Sequence, residues 1–260
     1  MTKLGLSGLL ALQFRVLGAM VLRETRATFG TSHFGYLWAV ITPAASVGIL
    51  VVLFSLISRQ PPYGSSLALF FATGILILEF FNKLSNTLMA TFVANRALLT
   101  YPLIKETDAL FARLILISCT YALVMLVFFG TLIALGMAPP PSHLLVLIEA
   151  FTATALLGFG FGMVNAVVTS LWESWVHIEK VLTRPLFFLS GIFYIPSTLP
   201  PEAVAVLKWN PVLHLVEWFR NGYYAGYNST VLEQTYPLFI AMVLIFLGLL
   251  GERVFRKKRV

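Results

Sequence analysis

From residue 34 onward, long apolar runs alternate with short polar connections. The runs have the length that a helix needs to cross a bilayer, roughly 20 residues. The pattern predicts spans at 34–58, 67–92, 109–137 and 144–171, with a last one at 236–254. A fifth apolar stretch, 181–195, is short for a full crossing. It is followed by Pro196, Pro200, Pro201 and Pro211 and an aromatic-rich segment ending at Tyr227. An apolar segment cut by prolines predicts short helices that dip back toward the membrane, a geometry tolerated only against protein or water. Pro43 predicts a kink in the first span. The glycines around 158–162 predict close helix approach in the fourth. The expected fold is an all-α integral membrane protein with six transmembrane helices and re-entrant helices before the last span.

Residues 1–30 follow a different pattern. Leu6, Leu10, Phe14, Leu17 and Val21 fall on one side of a helical wheel, with Arg15, Arg23 and Arg26 roughly opposite. This predicts an amphipathic helix lying in the membrane interface. A frayed terminus that merely anchors the chain is the plainer alternative. The stretch lacks the uninterrupted apolar core and small-residue cleavage site of a secretory signal.

Composition sharpens the class. The chain is 58% hydrophobic and only 11% charged, against roughly 25% charged in ordinary soluble domains. No segment is long and polar enough for a separate nucleotide-binding or catalytic domain. The formal charge of +7 reports loops rather than a nucleic-acid surface. Fourteen of the 18 Lys and Arg lie before the first span, in or flanking the links between spans two and three (Arg96, Lys105, Arg113) and between spans four and five (Lys180, Arg184), or in the basic tail 255–260 and its flank. The positive-inside rule then places both termini in the cytoplasm. The single cysteine, Cys119, has no partner for a disulfide and reads as a small buried packing residue.

Candidate chemistry is sparse. Motifs for phosphate binding, zinc proteolysis and serine hydrolysis are absent, and the four histidines (His33, His143, His177, His214) lack metal-ligand spacing. No catalytic residue and no metal site are expected. Glu79 and Lys83 stand out: they are four apart in the second span and share a helix face. Charges at depth mark either a pathway or a mutual ion pair.

Four stretches carry a resemblance. They are Leu22-Arg23-Glu24 with Phe29-Gly30, Gly35-Tyr36-Leu37-Trp38 and Pro43; Asn95-Arg96-x-Leu98-x-x-Tyr101-Pro102 with Lys105, Asp108 and Ala112-Arg113; Pro185-Leu186-x-Phe188-x-Ser190-Gly191; and Trp209-Asn210-Pro211-x-x-His214-x-Val216-Glu217-x-x-Arg220 with Gly226-Tyr227. From about residue 15 to the C-terminus the chain resembles the membrane subunits of ABC-2 type polysaccharide exporters. Within that group it is most similar to the capsule polysaccharide permeases; O-antigen and teichoic acid permeases share the plan.

The resemblance implies a half-transporter: two copies forming the channel, driven by two separate ATPase subunits that bind ATP and Mg. It implies that the cytoplasmic loop 95–108, with Asn95, Arg96, Tyr101, Pro102, Lys105 and Asp108, couples to the ATPase. Arg15, Arg23 and Arg26 would meet an anionic headgroup. Tyr36, Trp38, Glu79, Lys83 and Tyr194 are channel-lining candidates. The segment 196–227, with Trp209, Asn210, Pro211, His214, Glu217 and Arg220, would form a periplasmic gate. The implied substrate is a lipid-linked, acidic capsular polysaccharide crossing a bacterial inner membrane. Periplasmic co-polymerase and outer-membrane export proteins are possible partners; nucleic acid is not. Competing readings are an ABC-2 permease for O-antigen, teichoic acid or a small molecule, a membrane enzyme acting on lipid or glycan, and a purely structural anchor.

Overall fold

The computed structural model describes the backbone of residues 6–30, 33–95 and 105–259, with side chains within 12–28, 37–95 and 105–255. Helix α1 spans Leu6–Phe29 and α2 His33–Leu56; α2 continues unbroken through Pro43. Next come α3, Leu67–Met89, and the single turn α4, Thr91–Ala94. Helix α5 spans Glu106–Ala134 and α6 Leu144–Leu171. Short helices follow: α7 Trp175–Thr183, α8 Leu186–Leu189, α9 Pro201–Leu207 and α10 Pro211–Tyr223. The last, α11, is Thr235–Arg259. Among the described residues the ordered elements are all helical.

Five of these helices (α2, α3, α5, α6 and α11) are long and apolar enough to cross a membrane. The fifth expected stretch, 181–195, is divided: α7 ends at Thr183, α8 is one turn, and the chain bends at 190–195 before a 3-10 turn at Pro196–Thr198. Prolines at 185, 196, 200, 201 and 211 supply the breaks, each removing a backbone donor.

Helix α3 is the centre. Its apolar window is 78% buried, against 11% for α2 and 17% for α11. Helix α6 is sandwiched between α3 and α11, and glycine makes that possible. A Cβ at Gly158 or Gly162 would press on Leu84 and Leu88 of α3; one at Gly160 would meet Ala241 and Leu244 of α11. Gly248 of α11 returns the arrangement, facing Met163. Without an aqueous driving force between helices, such close backbone approach is what holds helices together in lipid. The matched positions ascend together, so α3, α6 and α11 run parallel. Residues 172–234 therefore carry the chain from the far end of α6 back to the end where α11 starts.

The two ends of the bundle differ. At one end α1 crosses the start of α5, where Met20 packs with Ala109 and Ala112. At the opposite end the connections converge: Ser142 and His143 N–H donate to the carbonyls of Tyr223 and Gly222, and the Tyr63 ring packs against Tyr224 and Tyr227. Cys119 corrects an expectation, since it is exposed on α5 and not buried. That face of α5 points away from the bundle, where an apolar thiol suits lipid as well as a core.

A Cβ at Gly162 would sit 2.7 Å from the Leu88 Cβ. Gly162→Ala is therefore expected to destabilise by about 1–3 kcal/mol through overpacking. Gly130, with open space around it, is the control: Gly130→Ala leaves stability unchanged or raises it by up to about 1 kcal/mol. Thermal unfolding of the purified variants in detergent checks both.

Candidate functional site

Among the described residues, the polar groups that bear on function lie at each end of the apolar bundle and at mid-depth.

At the end opposite α1, Arg220 of α10 is completely buried. Its guanidinium donates to the carbonyls of Gly191 (2.7 Å) and Tyr194 (3.3 Å), to the Thr73 hydroxyl (3.3 Å) and to Glu217 (3.3 Å). It also lies 4.0 Å from the centre of the Phe70 ring, a cation–π contact. Glu217 is held in turn by the Tyr227 hydroxyl, 2.9 Å from both carboxylate oxygens, and by Ser229 at 2.7 Å. Burial, with the carboxylate beside it, pushes the Tyr227 phenol up from its usual range, so it stays a donor. The sequence builds this locally. Asn210 caps α10 by accepting from Val212 N–H, Pro211 occupies the first turn, and the Asn210 amide donates to Leu189 O and Ser190 Oγ. Gly191, at φ +76°, takes the left-handed turn that aims the carbonyls at Arg220. His214 lies on the same helix. It accepts from Glu233 N–H at Nδ1 (3.1 Å) and sits 2.8 Å from Lys208 O at Nε2, which fixes the proton on Nε2. Trp209 stands exposed at the rim and its carbonyl accepts from the Tyr236 hydroxyl.

At mid-depth, Glu79, Asn82, Lys83 and Asn86 form a polar stripe along α3, spaced at helical intervals of three, four and seven. Two hollows open on it. One, about 490 Å³, lies between α2, α3 and α7 and is lined by Ser46, Glu79, Asn82, Asn86, Lys180 and Arg184 among others. The other, about 460 Å³, lies between α2, α3 and α5 and includes Trp38, Thr42, Glu79, Lys83 and Tyr121. The ion pairs among the described residues do not include Glu79 with Lys83.

At the α1 end, Glu24 and Arg113 form a buried ion pair, Oε2 to Nε 3.0 Å. Arg113 also donates to Thr87 O (2.6 Å) and Thr91 Oγ1 (3.1 Å). Arg23 donates to Asn95 Oδ1 at 2.8 Å, and Gln13 to Asp108 Oδ1 at 2.6 Å. Lys105, the N-cap residue of α5, donates its backbone N–H to Asp108 Oδ2 in the first turn (3.1 Å).

The structure therefore regroups the residues expected from sequence. Trp38, Glu79 and Lys83 share a hollow, whereas Tyr194 lies at the Arg220 turn with its hydroxyl donating to Leu189 O. Trp209, Asn210, Pro211, His214, Glu217 and Arg220 do come together on or beside α10. Asn95 and Asp108 face α1 and are buried, while Lys105 is exposed. Arg15 and Arg26 are exposed; Arg23 is half-exposed and engaged with Asn95. Arg96, Tyr101, Pro102 and the Tyr36 side chain lie outside the described residues. Sequence reasoning passed over Asn82, Asn86, Lys180 and Arg184, although the spacing of the asparagines from Glu79 was a legible signal. It also took Arg113 for a flanking loop charge. A lone arginine one turn into an apolar run signals a need for a buried partner, but that the partner is Glu24 was decided by the packing of α1 on α5.

Comparison with known proteins gives this geometry a family. Residues 15–224 match the ABC-2 type transporter family. The chain is 29% identical to the polysialic acid transport protein KpsM of Escherichia coli over 89% of its own length and 90% of the relative's. It is 26% identical to the capsule polysaccharide export inner-membrane protein CtrC of Neisseria meningitidis serogroup B, and 24% identical to the capsule polysaccharide export inner-membrane protein BexB of Haemophilus influenzae. Each of those alignments covers 95% of this chain and 94% of the relative. With the match spanning α1 through α10, this chain belongs to the ABC-2 type transporter family, as its membrane-embedded permease.

Proposed function

We propose that the chain is the permease of an ATP-driven exporter that moves a lipid-linked, acidic capsular polysaccharide across a bacterial inner membrane. The observation that carries this reading is the near full-length similarity to proteins named for capsule polysaccharide export. The polar stripe of α3 gives it chemistry. Asn82 and Asn86 offer amides to sugar hydroxyls, and Lys180, Arg184 and Lys83 offer cations to sugar carboxylates. Helix α2 borders both hollows and buries little against its own chain, which fits a wall shared with a second copy. In this reading two copies enclose the path, and two ATPase subunits supply ATP hydrolysis. A co-polymerase and outer-membrane proteins would receive the product.

The proposed topology has six crossings with both termini in the cytoplasm. It draws support from the parallel α6 and α11, which require one return passage between them, made here by α7, α8 and their flanks. The segment 196–227 would be the re-entrant gate on the periplasmic side. Ser142→Cys is expected to react with an impermeant thiol reagent added outside intact cells, and Lys258→Cys to react only after lysis; the opposite pattern overturns the topology. The native Cys119 is first replaced by alanine.

Coupling is assigned to the tip of the 95–108 loop, because Asn95 and Asp108 are turned inward. Tyr101→Asp is expected to abolish export while the ATPase still copurifies or hydrolyses ATP uncoupled. Normal export and hydrolysis would reduce the loop to a connector.

For the substrate headgroup, Arg15 and Arg26 are exposed on α1, whereas Arg23 is engaged with Asn95. Arg15→Glu with Arg26→Glu is expected to stop export from a protein that is still inserted and ATPase-bound. The double Lys variant keeps the charge without the bidentate fork and retains part of it. Full export by the double Glu variant would make these arginines ordinary lipid anchors.

A further inference from the structure

A separate hollow, about 320 Å³, lies beside Trp209 at the end of the bundle opposite α1. Its polar and aromatic lining is Lys208, Trp209, His214, Thr230, Glu233 and Tyr236, drawn from the end of α9, from α10 and from the link into α11. One buried imidazole builds it. His214, 3% exposed, donates from Nε2 to Lys208 O at 2.8 Å and accepts the Glu233 N–H at Nδ1 at 3.1 Å. The ring thereby fixes the backbone of one cation and one anion that line the same hollow. It also packs on Tyr236, with ring centroids 5.1 Å apart, and the Tyr236 hydroxyl donates to Trp209 O at 2.8 Å. The backbones are held, and the side chains stay available. Among the described residues neither Lys208 nor Glu233 joins an ion pair, and the Glu233 carboxylate accepts from the Thr235 hydroxyl at 3.3 Å. The Trp209 side chain is 69% exposed.

We infer that this hollow binds the headgroup of a zwitterionic phospholipid carrying a primary ammonium, as in phosphatidylethanolamine. Lys208 is the partner for the phosphate, and Glu233 accepts hydrogen bonds from the ammonium. Trp209 and Tyr236 offer ring faces to the same cation. A purely anionic headgroup would be repelled by Glu233, and a purely cationic one by Lys208. The place in the fold favours a lipid over a free phosphate compound. Tyr236 stands in the first turn of α11, a helix long and apolar enough to cross a membrane, so the hollow opens at the level of the headgroups. Three, seven and ten residues further along the same face of α11 come Phe239, Val243 and Phe246, all exposed. They form an apolar track for acyl chains beneath a cation and an anion that do not pair with each other. A bound lipid would bridge α9, α10 and α11 at the corner that Arg220 locks from inside. The inference depends on α11 being a span and not on the exported cargo.

The test uses the full permease, purified in detergent and stripped of lipid, with bound lipids counted by native mass spectrometry during a titration. The probes share palmitoyl and oleoyl chains: phosphatidylethanolamine, phosphatidylglycerol, which has no ammonium, and phosphatidylcholine, whose ammonium has no N–H to donate. One phosphatidylethanolamine per chain is expected to bind about fivefold more tightly than either of the others, the upper range for an exposed charge pair. Glu233→Gln is expected to abolish that preference, and Lys208→Ala to weaken all three lipids. Both residues are exposed, and both substitutions keep the backbone groups that hold His214. Thermal unfolding without lipid checks the fold, and the wild-type preference decides the matter even if a variant proves unstable. Equal retention of the three lipids by the wild type overturns the inference and leaves Trp209 and Tyr236 as ordinary interface anchors. So does wild-type behaviour of both variants. Displacement of the lipid by an equal concentration of soluble glycerophosphoethanolamine would make the hollow a free-headgroup site and overturn the lipid assignment. Displacement by trigalacturonic acid, an acidic oligosaccharide, would make it a glycan site and overturn it as well. None of these readouts requires transport, so the result is separate from the exporter reading.

Discussion

The arrangement at the end opposite α1 depends on the burial of one guanidinium. Arg220 sits on an α10 that is itself packed inside the bundle, and its side chain is shut off from bulk solvent. Every donor must therefore find a partner, and the partners come from Thr73 of α3, the turn at Gly191–Tyr194, and Glu217 one helical turn away. Removing one member of such a pair costs about 3–5 kcal/mol, because the other charge is left stranded. That penalty locks three segments far apart in sequence into one corner. It also accounts for the short, broken helices before α11: the carbonyls of 191, 192 and 194 are free to meet Arg220 only because the chain there is not helical.

The glycine-lined sandwich of α3, α6 and α11 does the complementary work. It supplies close packing where hydrophobic attraction between helices is weak, and leaves α2 and much of α5 and α11 with exposed apolar faces. A bundle so asymmetric, dense around α3 and open around α2, suits a subunit whose working surface is completed by another copy. The polar stripe of α3 emerges on the open side. In the proposed function the dense part is the scaffold and the open part borders the path.

The α1 end ties this scaffold to α1 through Glu24, Arg23 and Gln13. Its polar residues were legible singly and not as a set. Arg23 and Arg26 are close in sequence and both read as headgroup ligands, yet Arg23 is bonded to Asn95 and Arg26 is exposed. Asn95 and Asp108 read as the surface that meets a partner, yet they brace the connection from inside.

Periodicity alone determined the class, the long helices and the proline-broken segment before the last one, since those follow from apolar length and from proline's missing donor. The motif residues further identified the family and the α10 cluster. The pairings were decided only by the tertiary structure. Whether a charge at depth meets Glu24, Glu217 or an open hollow depends on which helix faces lie opposite one another. That is set by the fit of Gly158, Gly160 and Gly162 against their neighbours, which no local pattern encodes. Cys119 and Glu79 make the same point from opposite sides: one was expected to be buried and faces outward, the other was offered as either pathway or ion pair and lines two hollows with its neighbour Lys83 unpaired to it. A helical wheel gives the faces of each helix, but the partner of each face is a property of the packed bundle.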